Sequence, residues 1–79
     1  MIIDIREQEE FFKGRIDKAI NIPYNKLIFN PSKYLVKGEV YYIYCNSGIK
    51  SKKAVDILNN LGYKCVNVDG GYYNYLLRN

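Results

Sequence analysis

The sequence predicts an α/β fold in which a small sheet of parallel strands carries helices on both faces. The first observation is an apolar run over residues 40–45 that ends at Cys45. The second is the segment 51–61, whose apolar residues recur at helical spacing. The third is a further apolar run over residues 65–68. A strand, a helix and a strand in this order form a right-handed βαβ unit, which makes the two strands parallel.

The rest of the chain adds shorter elements of the same two kinds. A run that is apolar on both faces predicts a buried first strand, and an alternating run ended by Pro23 predicts a second strand. Acidic residues followed by Gly14 indicate a brief helix between these strands. The proline in Asn30-Pro31-Ser32 is typical of a helix start. The expected ranges are 2–5 and 19–22 for the strands, 7–13 for the brief helix, 24–35 for a helical segment, 69–71 for a turn, and 72–78 for a last helix.

Composition limits the classes of protein that the chain can belong to. Its 79 residues suffice for one domain, 1–79, with a limited core. The net charge is +4, but the charges are scattered, and Tyr41, Tyr42 and Tyr44 lie in a predicted buried strand, so we expect no nucleic-acid partner. No stretch is apolar enough for a membrane span, and charges interrupt any leader sequence. We therefore expect a cytoplasmic protein with no membrane partner.

Cys45 is the best candidate for chemistry, because it lies where a strand meets a loop and a helix. Ligands bind at the carboxyl ends of strands in such sheets. Backbone N–H groups at a helix start favour an anion, so a thiol there should ionise below its usual pKa of about 8.5. Lys50, Lys52 and Lys53 add positive charge to the same helix end. The alternative is a small buried hydrophobe, which is the interpretation we favour for Cys65.

The absence of histidine narrows how Cys45 could be activated. With no histidine in the chain, a Cys–His pair is excluded, and backbone amides and lysines remain. Two cysteines and no histidine also predict neither a disulfide framework nor a metal site. Asp4 and Arg6 end the first predicted strand on the same sheet edge as Cys45, which makes them secondary candidates. The alternative for this pair is a surface ion pair of little energetic value.

Four segments, in order along the chain, resemble the motifs of a rhodanese domain. Asp4-Ile5-Arg6-Glu7 is similar to D-V-R-E, and residues 14–23 are similar to G-H-I-x-G-A-x-N-I-P. Cys45-Asn46-Ser47-Gly48-Ile49-Lys50-Ser51 resembles the active loop C-x-x-G-x-R-S. Gly70-Gly71 with Tyr75 resembles G-G-x-x-x-W. Together the segments span almost the whole chain.

The resemblance implies a single-domain sulfurtransferase that needs no cofactor. In that family the loop cysteine, here Cys45, takes the outer sulfur of a donor such as thiosulfate or a persulfide. It holds this sulfur as a persulfide until a thiol or cyanide acceptor removes it. The remaining loop residues, 46–51, would bind the anion, and Arg15, where the family often has histidine, is a further secondary candidate. The loop from Cys45 to Lys50 has the family's sulfur-transferring length.

Departures from the family pattern leave a second function open. Lys50 replaces an arginine, so planar bidentate capture of an oxyanion gives way to a point charge. A rhodanese-fold sulfur carrier or binding module with little turnover is therefore the alternative to the enzyme. Lys18 stands where the family has glycine. The resemblance also implies a minimal version with a shortened N-terminus, since family members usually carry another strand and helix before the first motif. A bare sheet edge would then allow a monomer or a weak dimer.

Overall fold

The structure is a computed structural model that describes residues 1–78. Asn79, the last residue of the predicted domain, lies outside the described residues. Strands and helices alternate along the chain, joined by short connections. Their ranges are β1 Ile2–Asp4, α1 Gln8–Lys13, β2 Ile20–Asn21, α2 Tyr24–Phe29, a 3-10 turn Pro31–Lys33, β3 Val40–Tyr44, α3 Ile49–Asn60, β4 Lys64–Asn67 and α4 Gly71–Arg78.

The four strands form one parallel sheet in the order β2-β1-β3-β4. β3 lies inside the sheet, where Ile43 pairs with Ile3 of β1 and with Asn67 of β4. Because all strands run the same way, their carboxyl ends meet at one edge of the sheet. The predicted parallel α/β fold is confirmed, and Cys45 follows β3 directly at that edge.

One face of the sheet carries most of the hydrophobic core. Side chains of alternating strand residues pack there against α2 and α3, as expected for buried parallel strands. Ile3, Ile43, Leu27, Ala54 and Leu58 are fully buried in this layer. Each large aliphatic side chain contributes about 1.5–3 kcal/mol on burial, so this layer adds substantially to the pairing with β1 and β4 that holds β3.

The opposite face is covered mainly toward the carboxyl edge. Tyr44 is fully buried there, and its ring stacks on Tyr72 of α4 with centroids 6.5 Å apart. Helices therefore lie on both faces, as predicted. Toward the other end of β3, Tyr42 is 46% exposed, so the strand predicted to be buried is only half covered there. β3 is therefore covered on both faces only near its carboxyl end, next to Cys45.

Most predicted boundaries lie within one residue of the observed ones, and two elements differ by more. The segment predicted to hold a helix start at Asn30-Pro31 forms only the 3-10 turn Pro31–Lys33. α2 stops before it, since a residue that precedes proline avoids the helical region, and Asn30 has φ −145° and ψ 69°. α3 begins at Ile49 rather than at residue 51. Lys50 and Ser51 therefore lie in its first turn.

Candidate active site

Cys45 lies at the bottom of the loop that joins β3 to α3. Its Sγ accepts hydrogen bonds from the backbone N–H of Gly48 at 3.2 Å and of Ser51 at 3.3 Å. Its S–H donates to the Ser51 hydroxyl at 3.4 Å. The start of α3 thus surrounds the sulfur with donors, because the first N–H groups of a helix have no partner inside the helix. The sequence predicts an anion-binding loop at this place, and the hydrogen bonds show which N–H groups point at the sulfur.

The hydrogen bonds distinguish Cys45 from Cys65 more than exposure does. The two residues are almost equally buried, with 6% and 7% of their surfaces exposed. Burial raises the pKa of the Cys45 thiol, but the thiolate can accept hydrogen bonds from the Ser51 hydroxyl and from loop N–H groups, and these outweigh burial and lower the pKa below its usual value. Burial alone acts on Cys65 and raises its pKa. Only Cys45 is therefore favoured as a thiolate.

A buried ion pair behind the loop holds its second residue. Arg6 and Asp4 form a salt bridge at 2.7 Å with side chains 5% and 0% exposed, so the alternative of a surface pair is wrong. Asp4 also accepts hydrogen bonds from the Arg6 backbone N–H and from the Tyr44 hydroxyl. Arg6 uses another N–H to donate to the Asn46 side chain at 3.2 Å. The two secondary candidates thus support the loop without bonding to the sulfur.

The start of α4 holds the loop from the other side. The backbone N–H of Tyr72 donates to the carbonyl of Cys45 at 2.9 Å, and that of Tyr73 to the carbonyl of Asn46 at 3.0 Å. This close approach requires Gly71, where a Cβ would collide with the Cys45 carbonyl oxygen and lie 2.7 Å from that of Asn46. The glycine that the sequence places in a turn is therefore part of the loop support.

Above Cys45 lies a cavity of about 180 Å³. Carboxylates and cations share its lining, which consists of Ile5, Arg6, Glu7, Glu10, Cys45, Asn46, Ser47 and Lys50. The exposed Lys50 has its Nζ 4.8 Å from the centre of the Tyr24 ring, a cation–π distance. The Glu10 carboxylate accepts a hydrogen bond from the Asn46 side chain at 2.7 Å. The opening above the sulfur thus has mixed charge.

The structure does not bring every candidate to this cavity. Arg15 lies over the Phe11 ring at 4.5 Å and donates to the Phe11 carbonyl, and it is not among the residues that line the cavity. The side chain of Ile49 is 79% exposed, and Ile49 is not among the residues that line the cavity. Ser47 lies in the lining, and Gly48 and Ser51 bond to the sulfur.

Sequence reasoning missed Glu10 and Asn67. Glu10 lies one helical turn beyond Glu7 of the first motif, so helical spacing could have indicated that both carboxylates share a face. Asn67 ends β4 beside Cys45 and accepts a hydrogen bond from the Ser51 hydroxyl at 2.5 Å. Its position at a strand end next to the β3 edge was the available signal.

Two further observations concern metal ions and membranes. Among residues 1–78, no three cysteine, aspartate or glutamate side chains come together in a way that could hold a metal ion. None of the helices within this described part of the chain has the length and apolar character needed to cross a membrane.

Comparison with known proteins gives matches over most of the chain. The family model for the rhodanese-like domain matches residues 1–77. YtwF of Bacillus subtilis is 38% identical over 89% of this chain and 67% of its own length. The thiosulfate sulfurtransferase PspE of Escherichia coli is 33% identical over 87% of this chain and 67% of its own length.

A solved structure matches as well. The crystal structure of a rhodanese-related protein from Thermoplasma volcanium superposes with a TM-score of 0.87 at 34% identity, covering 98% of this chain and 76% of that one. The curated relatives are longer than the matched region, since the chain spans from 54% to 67% of the first two relatives' lengths. The residues that the family model matches include the loop around Cys45.

Proposed function

This chain belongs to the rhodanese-like domain family, and from that membership and the site geometry we propose that it is a sulfurtransferase acting through a persulfide on Cys45. The observation that carries the proposal is the set of donors around one sulfur atom. Backbone N–H groups of Gly48 and Ser51 point at Sγ, and its pKa is lowered. A thiolate held in this way is a nucleophile that can accept and release a sulfur atom.

The proposed reaction consists of two displacements with no net oxidation. The Cys45 thiolate attacks the outer sulfur of thiosulfate, a bond forms between Sγ and that sulfur, and sulfite leaves with the electron pair of the broken S–S bond. The outer sulfur then carries the negative charge. A thiolate acceptor attacks this sulfur and leaves as a new persulfide, or cyanide leaves as thiocyanate, and the Cys45 thiolate is restored.

The other proposed site residues act on the loop or on the incoming anion. Residues 46–51 supply the donors and the wall of the cavity, and Lys50 supplies a mobile positive charge at its opening. Asp4 and Arg6 keep Asn46 in place through the hydrogen bonds described above. A role for Arg15 would require a substrate that extends beyond the cavity, because Arg15 contacts α1.

A second candidate function is a sulfur carrier with little turnover on thiosulfate. The charges at the cavity favour it, since Glu7 and Glu10 line the same space as Lys50. Each carboxylate repels a divalent oxyanion, and the ammonium of Lys50 lies over an aromatic ring instead of over the sulfur. A thiol-borne persulfide carries at most one negative charge on its sulfur atoms, so it would meet less repulsion than the divalent thiosulfate would.

Sulfur loading followed by turnover tests both candidates. The protein is incubated with thiosulfate, or separately with a low-molecular-weight persulfide, and its intact mass is measured. We expect a gain of one sulfur atom in the unchanged chain and in Cys65→Ser, and none in Cys45→Ser. Failure of both donors to load Cys45 would refute the proposal. Loading without repeated thiocyanate formation when thiosulfate and cyanide are both in excess would favour the carrier.

We also propose a location, an oligomeric state and partners for this protein. We place the protein in the cytoplasm, where thiols stay reduced, in keeping with its two free cysteines. Residues 1–79 would act as one rhodanese-like domain, as a monomer or weak dimer, with a small sulfur donor and a thiol or cyanide acceptor as partners. Neither a nucleic acid nor a membrane has a role in this scheme.

A further inference from the structure

The Ser51 hydroxyl lies between two possible acceptors but has one proton. Ser51 is fully buried in the first turn of α3. On one side the Cys45 sulfur lies 3.4 Å from Ser51 Oγ, and on the other side Asn67 Oδ1 lies at 2.5 Å. In the structure the chain of donors runs from the Cys45 thiol to Ser51 and from Ser51 to Asn67. The Ser51 hydroxyl therefore donates its hydrogen bond to the Asn67 side-chain oxygen as long as Cys45 is protonated.

The Asn67 side chain is held with its oxygen toward Ser51. Its Nδ2 donates to the Gly48 carbonyl at 3.2 Å and to the Asp69 carboxylate at 2.9 Å. If the amide turned over, its oxygen would face two other oxygen acceptors, and both hydrogen bonds would be lost. Because an amide has donors on one side only, these two contacts determine which atom Ser51 meets.

We propose that Asn67 is a positioning residue that competes with the Cys45 sulfur for the hydrogen bond that the Ser51 hydroxyl donates. This competition sets how readily the Cys45 thiolate forms. The inference rests on the proposed role of Cys45 as the reacting sulfur. When Cys45 gives its proton to a solvent base, rotation of the Ser51 hydroxyl moves its proton from Asn67 to the thiolate. No covalent bond changes in this rotation.

The competition has a consequence for each stage of sulfur transfer. The thiolate gains the Ser51 hydrogen bond only by breaking the one to Asn67, so its net stabilisation is the difference between the two. In the persulfide the negative charge lies mainly on the outer sulfur, so Sγ becomes a weaker acceptor. The Ser51 hydroxyl then donates its hydrogen bond to Asn67 again. Asn67 thus limits stabilisation of the thiolate, and an over-stabilised thiolate is a poorer nucleophile.

The test is the pH dependence of Cys45 alkylation, read by mass spectrometry of tryptic peptides. Cleavage after Lys50 separates Cys45 from Cys65, so each thiol is followed in the same sample. Asn67→Leu removes the competing acceptor while keeping a similar volume. We expect the midpoint of Cys45 alkylation to fall by about 0.4 to 1 pH unit, which corresponds to one neutral hydrogen bond. Asn67→Ala gives the same reading if the leucine variant does not fold.

Two further variants separate positioning from a structural role. In Ser51→Ala the hydroxyl is absent, so adding Asn67→Leu to it should move the midpoint no further. Asn59→Ala is the matched control, because Asn59 also ties α3 to β4, through hydrogen bonds with the backbone of Cys65. We expect Asn59→Ala to leave the Cys45 midpoint unchanged.

The inference is overturned if neither Asn67 variant moves the midpoint, or if the shift has the same size without the Ser51 hydroxyl. The second outcome would mean that Asn67 acts through its contact with Gly48 instead. Alkylation needs no sulfur donor, so this reading does not depend on sulfur loading. Failure of Cys45 to take up sulfur would refute the proposed function and leave the alkylation result intact.

Discussion

Replacing Gly71 by alanine should disturb the site more than any other single methyl group added at a glycine. Gly71 has φ +56° and opens α4 beside the carbonyl groups of Cys45 and Asn46. A Cβ there meets backbone oxygens, which cannot swing aside as a side chain could. α4 would have to move away and give up the two hydrogen bonds from Tyr72 and Tyr73.

The size of the effect follows from these losses. Left-handed strain on a residue with a Cβ costs about 1–2 kcal/mol. Two lost hydrogen bonds add about 0.5–1.5 kcal/mol each, so the free energy of unfolding should fall by about 2–5 kcal/mol in total. A chain of 79 residues has roughly 4–12 kcal/mol available. Gly71→Ala would thus remove a large share of the stability.

Gly38→Ala provides the matched control. Gly38 also has a positive φ, +100°, but a Cβ there would meet nothing within 4 Å. Only the strain of about 1–2 kcal/mol should remain. Urea unfolding of both variants gives the difference, which we expect to be about 1–3 kcal/mol. Cys45 alkylation should also slow in folded Gly71→Ala only, because the displaced loop no longer directs its N–H groups at the sulfur.

Equal losses of stability in the two variants would refute this reasoning. They would show that α4 adapts to the methyl group without leaving the loop. Unchanged alkylation of Cys45 in Gly71→Ala would refute the expected slowing of that reaction, since the donors around the sulfur would then not depend on α4.

Three other predictions follow from the site and its surroundings. Cys45 should alkylate with a midpoint below the usual thiol pKa of about 8.5 and Cys65 with a midpoint above it, and faster labelling of Cys65 at neutral pH would contradict the assignment. Asp4→Asn should cost about 3–5 kcal/mol in urea unfolding because it leaves a buried guanidinium unpaired, whereas Asp56→Asn, in an exposed pair, should cost less than about 1 kcal/mol. Lys50→Ala should lower kcat/KM for thiosulfate about two- to tenfold and Lys50→Arg should raise it, less so at high salt, and no change in either variant would show that the amides alone bind the anion.

The parallel sheet and the place of Cys45 could be predicted because hydrophobic periodicity is a local signal. An apolar run followed by a helical pattern specifies a strand, a loop and a helix, and parallel pairing then brings Asp4 and Cys45 to the same edge. These inferences need only the spacing of residues within each segment. The part of the site that depends on this spacing was therefore predicted.

What the sequence did not predict depends on contacts between distant segments. Asn67 and Glu10 are polar residues whose direction is set by packing, and no periodicity says that one will meet Ser51 and the other Asn46. The same holds for Lys50, which lies beside Tyr24 of α2. The short 3-10 turn after α2 was missed because a proline start signals a helix without fixing its length.

The hydrogen bonds between α4 and the Cys45 loop have a consequence for folding during synthesis on the ribosome. The ribosome releases the Cys45 loop well before α4, yet the hydrogen bonds from Tyr72 and Tyr73 complete the loop. Domains of this kind fold when their distant parts can meet, and long-range parallel pairing is slow. A nascent chain that lacks α4 would thus hold the donors of Gly48 and Ser51 in sequence but not the two hydrogen bonds that fix the loop beneath them. The carbonyl groups of Cys45 and Asn46 therefore gain their partners only after residues 72 and 73 have been made and have folded back onto the loop.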